Sequence, residues 1–243
     1  MQQVLDTIAD WCNQNSGFVT LLLFILSLLI GWISGLFNVI RKRPKFIIKT
    51  IEGATFGCII DLKRKYQNLP VHKTAFVLYL EVKNIGNAPS SIGDISLGYL
   101  KSDFNPKWKA KRLWLKETVS KGDFTLQFNE SEKIKVLPFL KQKNNLYENT
   151  IDNYLDIGKI STGIVYFEEQ EAFGNWMPRL NKDHKTTDIK LKIIDSFNGA
   201  HIKSIRVNII EPEKALTMNP YFAQTYNEYF VPKDKGTENQ ESE

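Results

Sequence analysis

From Phe18 to Ile40 the chain carries no charged residue, and beyond Lys45 apolar and polar positions begin to alternate. At about 1.5 Å per helical residue, the run 17–40 covers the ~30 Å hydrocarbon core of a bilayer. It predicts one transmembrane helix over 17–40. Ahead of it, Val4, Leu5, Ile8, Trp11 and Cys12 fall on one side of a helical wheel, so residues 1–16 read as a short amphipathic segment at the membrane interface.

Past a linker at 41–45 the period drops to two. Runs at 46–51, 55–60, 74–84, 92–99, 134–137, 163–167, 189–195 and 202–209 read as strands. In the run 74–84, Phe76, Leu78, Leu80 and Val82 alternate with Val77, Tyr79, Glu81 and Lys83. The pair Asn198-Gly199 between the last two runs is a hairpin-turn signal. A short helix is expected around 146–155. A second is expected where Tyr221, Phe222, Tyr226, Tyr229 and Phe230 recur at helical spacing. The divisions are then a β domain over 46–212, an aromatic segment over 213–232 and a disordered tail over 233–243. Many short strands with turn chemistry between them predict a mainly β fold, an antiparallel sandwich behind one transmembrane helix.

The stretch from Leu80 to Pro89, Leu-Glu-Val-Lys-Asn-Ile-Gly-Asn-Ala-Pro, resembles the strand–turn–strand of immunoglobulin-like sandwich modules of bacterial surface and membrane proteins. The run 163–167 and the hairpin Asp195…Asn198-Gly199 resemble the later strands of that fold. The resemblance implies an immunoglobulin-like β-sandwich and carries no function with it.

Charge adds a direction to the helix. The net charge is +5 over 243 residues, but placement matters more. Asp6 and Asp10 precede the apolar run, and Arg41, Lys42, Arg43 and Lys45 follow it. Lys and Arg near a membrane span stay cytoplasmic, so the β domain is expected inside the cell membrane and the N-terminus outside. A cleaved signal peptide needs a basic leader and a shorter core. The sequon at Asn129 reports on this topology, since a glycan there would put the domain outside. Cys12 and Cys58 flank the span and so lie in different compartments, which excludes a disulfide. Ser27, Gly31 and Gly35 recur every four residues, a small-residue helix-association face that points to a homo-oligomer.

Candidate chemistry is sparse. His72, His184 and His201 lack metal-ligand spacing, and Cys58 sits in an apolar run as a core residue does. Glu148, Asp152 and Asp156 read as a solvated helix face, and Gly158-Lys159 lacks the rest of a phosphate loop. No catalytic residue, metal or cofactor is expected, and the protein is not expected to be an enzyme. The segment 101–116 interleaves bases with tryptophans, notably Lys107, Trp108, Lys109, Lys111, Arg112 and Trp114. Such a segment suits membrane lipid or another anionic surface, with nucleic acid the weaker alternative. The plain reading is an edge strand kept soluble by lysine. The expected function is a non-catalytic, membrane-anchored interaction module working through lipid or an unidentified protein partner. The alternative is a membrane effector or accessory subunit whose helix self-associates under control of the β domain.

Overall fold

The computed structural model describes residues 2–35, 42–102, 111–127, 133–146 and 150–224. The chain divides into two compact units, Met1–Arg43 and Pro44–Glu243.

The first unit is helical. Helix α1 spans Gln2–Gln14 and α2 spans Ser16–Ile33. Helix α2 is the one helix among the described residues long and apolar enough to cross a membrane. Its large side chains, from Phe18 through Leu21, Phe24 and Leu28 to Ile33, are exposed. The expected span 17–40 continues past α2 into residues 36–40, which lie outside the described part. Gly35 has a φ of +75°, a left-handed conformation that glycine adopts freely and that an α-helix excludes. Gly35 therefore does not extend the Ser27–Gly31 face.

The second unit is mainly β. Its strands are β1 (Phe46–Thr50), β2 (Phe56–Tyr66), β3 (Leu69–Asn84), β4 (Ser90–Leu100), β5 (Arg112–Lys116), β6 (Thr125–Gln127), β7 (Ile134–Val136), β8 (Tyr154–Leu155), β9 (Ile160–Glu168), β10 (Ala172–Phe173), β11 (Thr186–Asp195) and β12 (Ala200–Ile209). A short helix, α3, spans Pro212–Met218. The main sheet has the order β1-β3-β2-β12-β11-β4-β5, with β9 and β10 on β3 and β8 on β4. All these pairings are antiparallel except the short β2–β12 contact, where Asn208 and Ile209 face Phe56 and Gly57 in parallel. After β5, Glu117 bridges Phe167 of β9 and the Thr118 N–H donates to the Tyr166 carbonyl at 2.8 Å. Strand β5 itself thus ends the order at an edge, and only the residues just after it touch β9.

Two cores lie on opposite faces of β3. Phe76, Leu78, Leu80 and Val82 pack with Ile95, Leu97 and Tyr99 of β4, Leu191 and Ile193 of β11, and Val165 and Phe167 of β9. Ala75 and Val77 point the other way. They join Phe56 and Cys58 of β2, Ile164 and Tyr166 of β9, Phe124, Leu137 and Phe139 around the β6–β7 hairpin, and Ala215 and Phe222. Residues 71–78 are consequently buried on both faces, where the alternation predicted one apolar and one mixed face. The added layer comes from segments remote in sequence. Gly163 lets the chain at Leu140 cross β9, because a Cβ there would stand 2.4 Å from the Leu140 backbone nitrogen. Backbone cannot yield to such a contact.

One helix expectation is corrected. Residues 150–153 have no regular structure and 154–155 form β8, since Leu155 enters the inner core and pairs with Ser90. Among the described residues the C-terminal helix is α3, which ends before Tyr221. Pro212 opens it, as proline does at a first helical position. Phe222 follows in a turn and is buried in the outer core. Residues 225–243, including Tyr226, Tyr229 and Phe230, lie outside the described part.

Candidate functional site

Strand β5 is an edge strand of the main sheet, and it carries Arg112, Trp114 and Lys116 on its outward side. The register sets their neighbours. Trp114 stands beside Gly98 of β4, and Gly98 beside Lys190 of β11. Lys116 stands beside Ser96, and Ser96 beside Lys192. Period two forces this arrangement: Leu97, Tyr99, Ile189, Leu191 and Ile193 fill the inner core, so the residues between them face out.

Gly98 is the floor of the site. A Cβ there would come within 2.8 Å of Arg112 Cδ and 2.9 Å of Trp114 Cδ2, so its absence lets both side chains lie over the sheet. Arg112 Nη1 donates to the Gly98 carbonyl at 2.8 Å. Partial burial lowers its pKa, but a guanidinium stays charged at neutral pH all the same. Lys192 Nζ sits 5.1 Å from the centroid of the Trp114 ring, within cation–π range, and Trp114 remains 45% exposed. Beside them a cavity of about 320 Å³ is lined by Asp94, Ser96, Lys116, Glu117, Lys192 and Ile194. Glu117 is paired with Lys141, and Asp188 with Arg206 at 3.1 Å. Arg112, Lys116, Lys190 and Lys192 set against Asp94 leave a positive surplus. Lysine ammoniums, a serine hydroxyl and an aromatic surface lie close together here, chemistry that suits an anionic group.

Of the residues expected from sequence, the structure brings Arg112 and Trp114 into this site and puts Lys111 just ahead of β5, exposed. Lys107, Trp108 and Lys109 lie outside the described residues. Lys116 belongs to the basic segment 101–116, whereas Lys190 and Lys192 were not expected here, although the alternation Ile189-Lys-Leu-Lys-Ile193 already places them on one face. Lys42, Arg43 and Lys45 are exposed; Arg41 and Asn129 lie outside the described part. Ser27 and Gly31 lie on α2, with Ser27 Oγ donating to the Leu23 carbonyl at 2.8 Å.

Other reactive groups are engaged in structure. Burial, and after it the charges of Glu211 and Glu213, push the Cys58 thiol up to about 12. Lys73 and Glu168 form a buried pair at 3.3 Å. Lys73 also donates to the Ala223 carbonyl at 3.1 Å, and the Tyr166 hydroxyl donates to Glu168 at 2.7 Å. Tyr166, enclosed by the outer core, has its pKa raised well above the usual phenol value, first by burial and then by Glu168. Among the described residues no group of His, Cys, Asp and Glu is placed to hold a metal ion. No protein-family model matches the chain, and no curated protein matches it either.

Proposed function

We propose that this protein is a single-pass, membrane-anchored, non-catalytic interaction module with its β domain in the cytoplasm. The observation that carries the reading is α2 itself. Its side chains from Leu21 to Leu26 and from Leu28 to Ile30 are all close to half exposed or more. Each large apolar side chain left in water forgoes about 1.5–3 kcal/mol, and a bilayer removes that penalty. Lys42, Arg43 and Lys45 on the C-terminal side favour the domain inside.

The immunoglobulin-like reading is supported by strand pairing. With β1 and β2 as the first strand, β3 as the second, β4 as the third, and β9, β11 and β12 as the last three, the pairs β1–β3, β3–β9, β4–β11 and β11–β12 match the two-sheet arrangement of such sandwiches. The β6–β7 hairpin and α3 are additions to it. The non-catalytic reading is supported by the engagement of Cys58, Lys73 and Glu168 in packing and ion pairing. The face around Trp114 then acts on anionic lipid or an acidic protein.

Alkaline carbonate extraction of membranes tests the anchor, and glycosylation at Asn129 tests its direction. Retention in the pellet without glycan is the expected result. Release by carbonate overturns the anchor, and glycan at Asn129 overturns the cytoplasmic orientation.

A further inference from the structure

We propose that the end of the β domain at which the chain enters is a bilayer-docking surface, whose apolar turn tips seat among phospholipid headgroups and upper acyl chains. This rests on the membrane-anchor reading and goes beyond it by assigning a face and a ligand class.

Several turns converge on the entry point. Asn84, fully buried, accepts from the N–H groups of Lys45 at 3.2 Å and Gly86 at 3.0 Å. Its amide donates to the carbonyls of Ala88 at 2.8 Å and Leu155 at 3.1 Å. The turn before β9 joins through Gly158 N–H to the Asn84 carbonyl at 2.8 Å. The β11–β12 hairpin joins through Ser196, whose hydroxyl accepts from Ser91 N–H and whose own N–H donates to Ser90 Oγ, both at 3.1 Å. Phe46 N–H donates to His201 Nδ1 at 3.2 Å. The turns after β3, before β9 and between β11 and β12 therefore surround Lys45 and Phe46.

The tips of these turns are apolar. Ile85 is 41%, Ile157 56% and Phe197 60% exposed, with Tyr154 at 50% beside them. Turns normally present Gly, Asn, Asp, Ser or Pro, and these side chains add nothing to either core. The β2–β3 turn at the opposite end has the ordinary chemistry, Gln67-Asn68, both with positive φ. There the exposed Tyr66 lies against Phe173, ring centroids 5.2 Å apart.

The occupant follows from the chain. Residues 34–43 separate α2 from Pro44 and reach at most about 35 Å when fully extended. A membrane-spanning α2 therefore tethers the entry end within about 35 Å of its own end. Lys42, Arg43 and Lys45, all exposed, lead into it and match anionic headgroups. Apolar tips with basic surroundings are the composition of interfacial anchors.

The test uses the full chain in equimolar phosphatidylcholine and phosphatidylserine vesicles, with Cys12→Ser to leave only buried Cys58. Ile157→Cys, Phe197→Cys and Gln67→Cys each carry an environment-sensitive fluorophore, and doxyl lipids serve as quenchers. Quenching at positions 157 and 197 several-fold above that at position 67 is expected, and adding Ile85→Asp should reduce it. Equal quenching at all three positions in vesicles that retain the chain overturns the docking and leaves the anchor standing. A chain that fails to float with the vesicles overturns the anchor, and the docking with it.

Discussion

His201 Nε2 lies 2.7 Å from Asp195 Oδ2, while Nδ1 of the same ring accepts the Phe46 N–H at 3.2 Å. Nδ1 as acceptor puts the neutral ring's proton on Nε2, aimed at the carboxylate. One imidazole thus ties the β11–β12 hairpin to the first strand of the domain, and its ring packs 4.5 Å from that of Phe46.

Asp195 makes this link pH-dependent. Burial raises its pKa, but hydrogen bonds from His201 and from the N–H groups of Gly199 and Phe197 outweigh burial and hold the carboxyl below its ordinary value. A depressed folded-state pKa contributes stability that is present above the unfolded value of about 4 and is lost as pH falls through the folded value. Thermal unfolding as a function of pH should show the wild type losing stability below about pH 4, with Asp195→Asn flatter there. At neutral pH that variant should cost about 1–3 kcal/mol. An unchanged acid limb in Asp195→Asn would mean another carboxylate governs it.

Asn84→Ala strands two backbone donors and two carbonyls at the entry end. The expected cost is about 2–4 kcal/mol, judged from the penalty for buried unpaired groups. Asn84→Asp should be worse than Asn84→Ala, because a carboxylate cannot donate to Ala88 and Leu155 and its charge would be buried. Urea denaturation of both variants in detergent ranks them, and the reverse order would refute the donor role of the amide.

Lys73→Met leaves Glu168 buried without its cation, which should cost about 3–5 kcal/mol. Combining it with Glu168→Gln should recover much of that loss, since the uncompensated charge is the main penalty. Because Lys73 also holds the Ala223 carbonyl, limited proteolysis should cut Lys73→Met faster after residue 219 than the wild type.

Gly98→Val drives a branched side chain into Arg112 and Trp114. A stability loss of about 1–3 kcal/mol is expected, with a changed near-ultraviolet circular dichroism signal from Trp114. Lys190→Glu with Lys192→Glu leaves the core alone and should lower cross-linking to photoactivatable phosphatidylserine, each lost charge removing about 1 kcal/mol of attraction. Cross-linking that ignores both substitutions and added salt would show that this face does not meet lipid.

Much of the fold was legible in local pattern. The eight runs read as strands correspond to β1, β2, β3, β4, β7, β9, β11 and β12, because alternation and β-branched content are properties of short segments. β11 and β12 form a hairpin at Asn198-Gly199, as that pair predicted, with Asn198 at a φ of +60°. What escaped was short or set by distant contacts. Strands β6, β8 and β10 are two or three residues long, too brief to show a period, and their pairing is fixed by partners far along the chain. The basic site was half legible: Arg112 and Trp114 stood out by composition. Lys190 and Lys192 join them only because β11 pairs with β4.

The amino-acid sequence by itself determined the apolar helix, the basic flank that follows it and the change from helical to strand periodicity, since each depends only on neighbours within a few residues. Tertiary structure decided the rest. Burial of β3 on both faces depends on Phe124, Leu137 and Phe222 arriving from elsewhere, and periodicity carries no information about what will cover an outward face. The same holds at the end where the chain enters the domain. Ile85, Ile157 and Phe197 are isolated apolar residues in sequence, and Asn84, Ser196 and His201 gather them around Lys45 and Phe46.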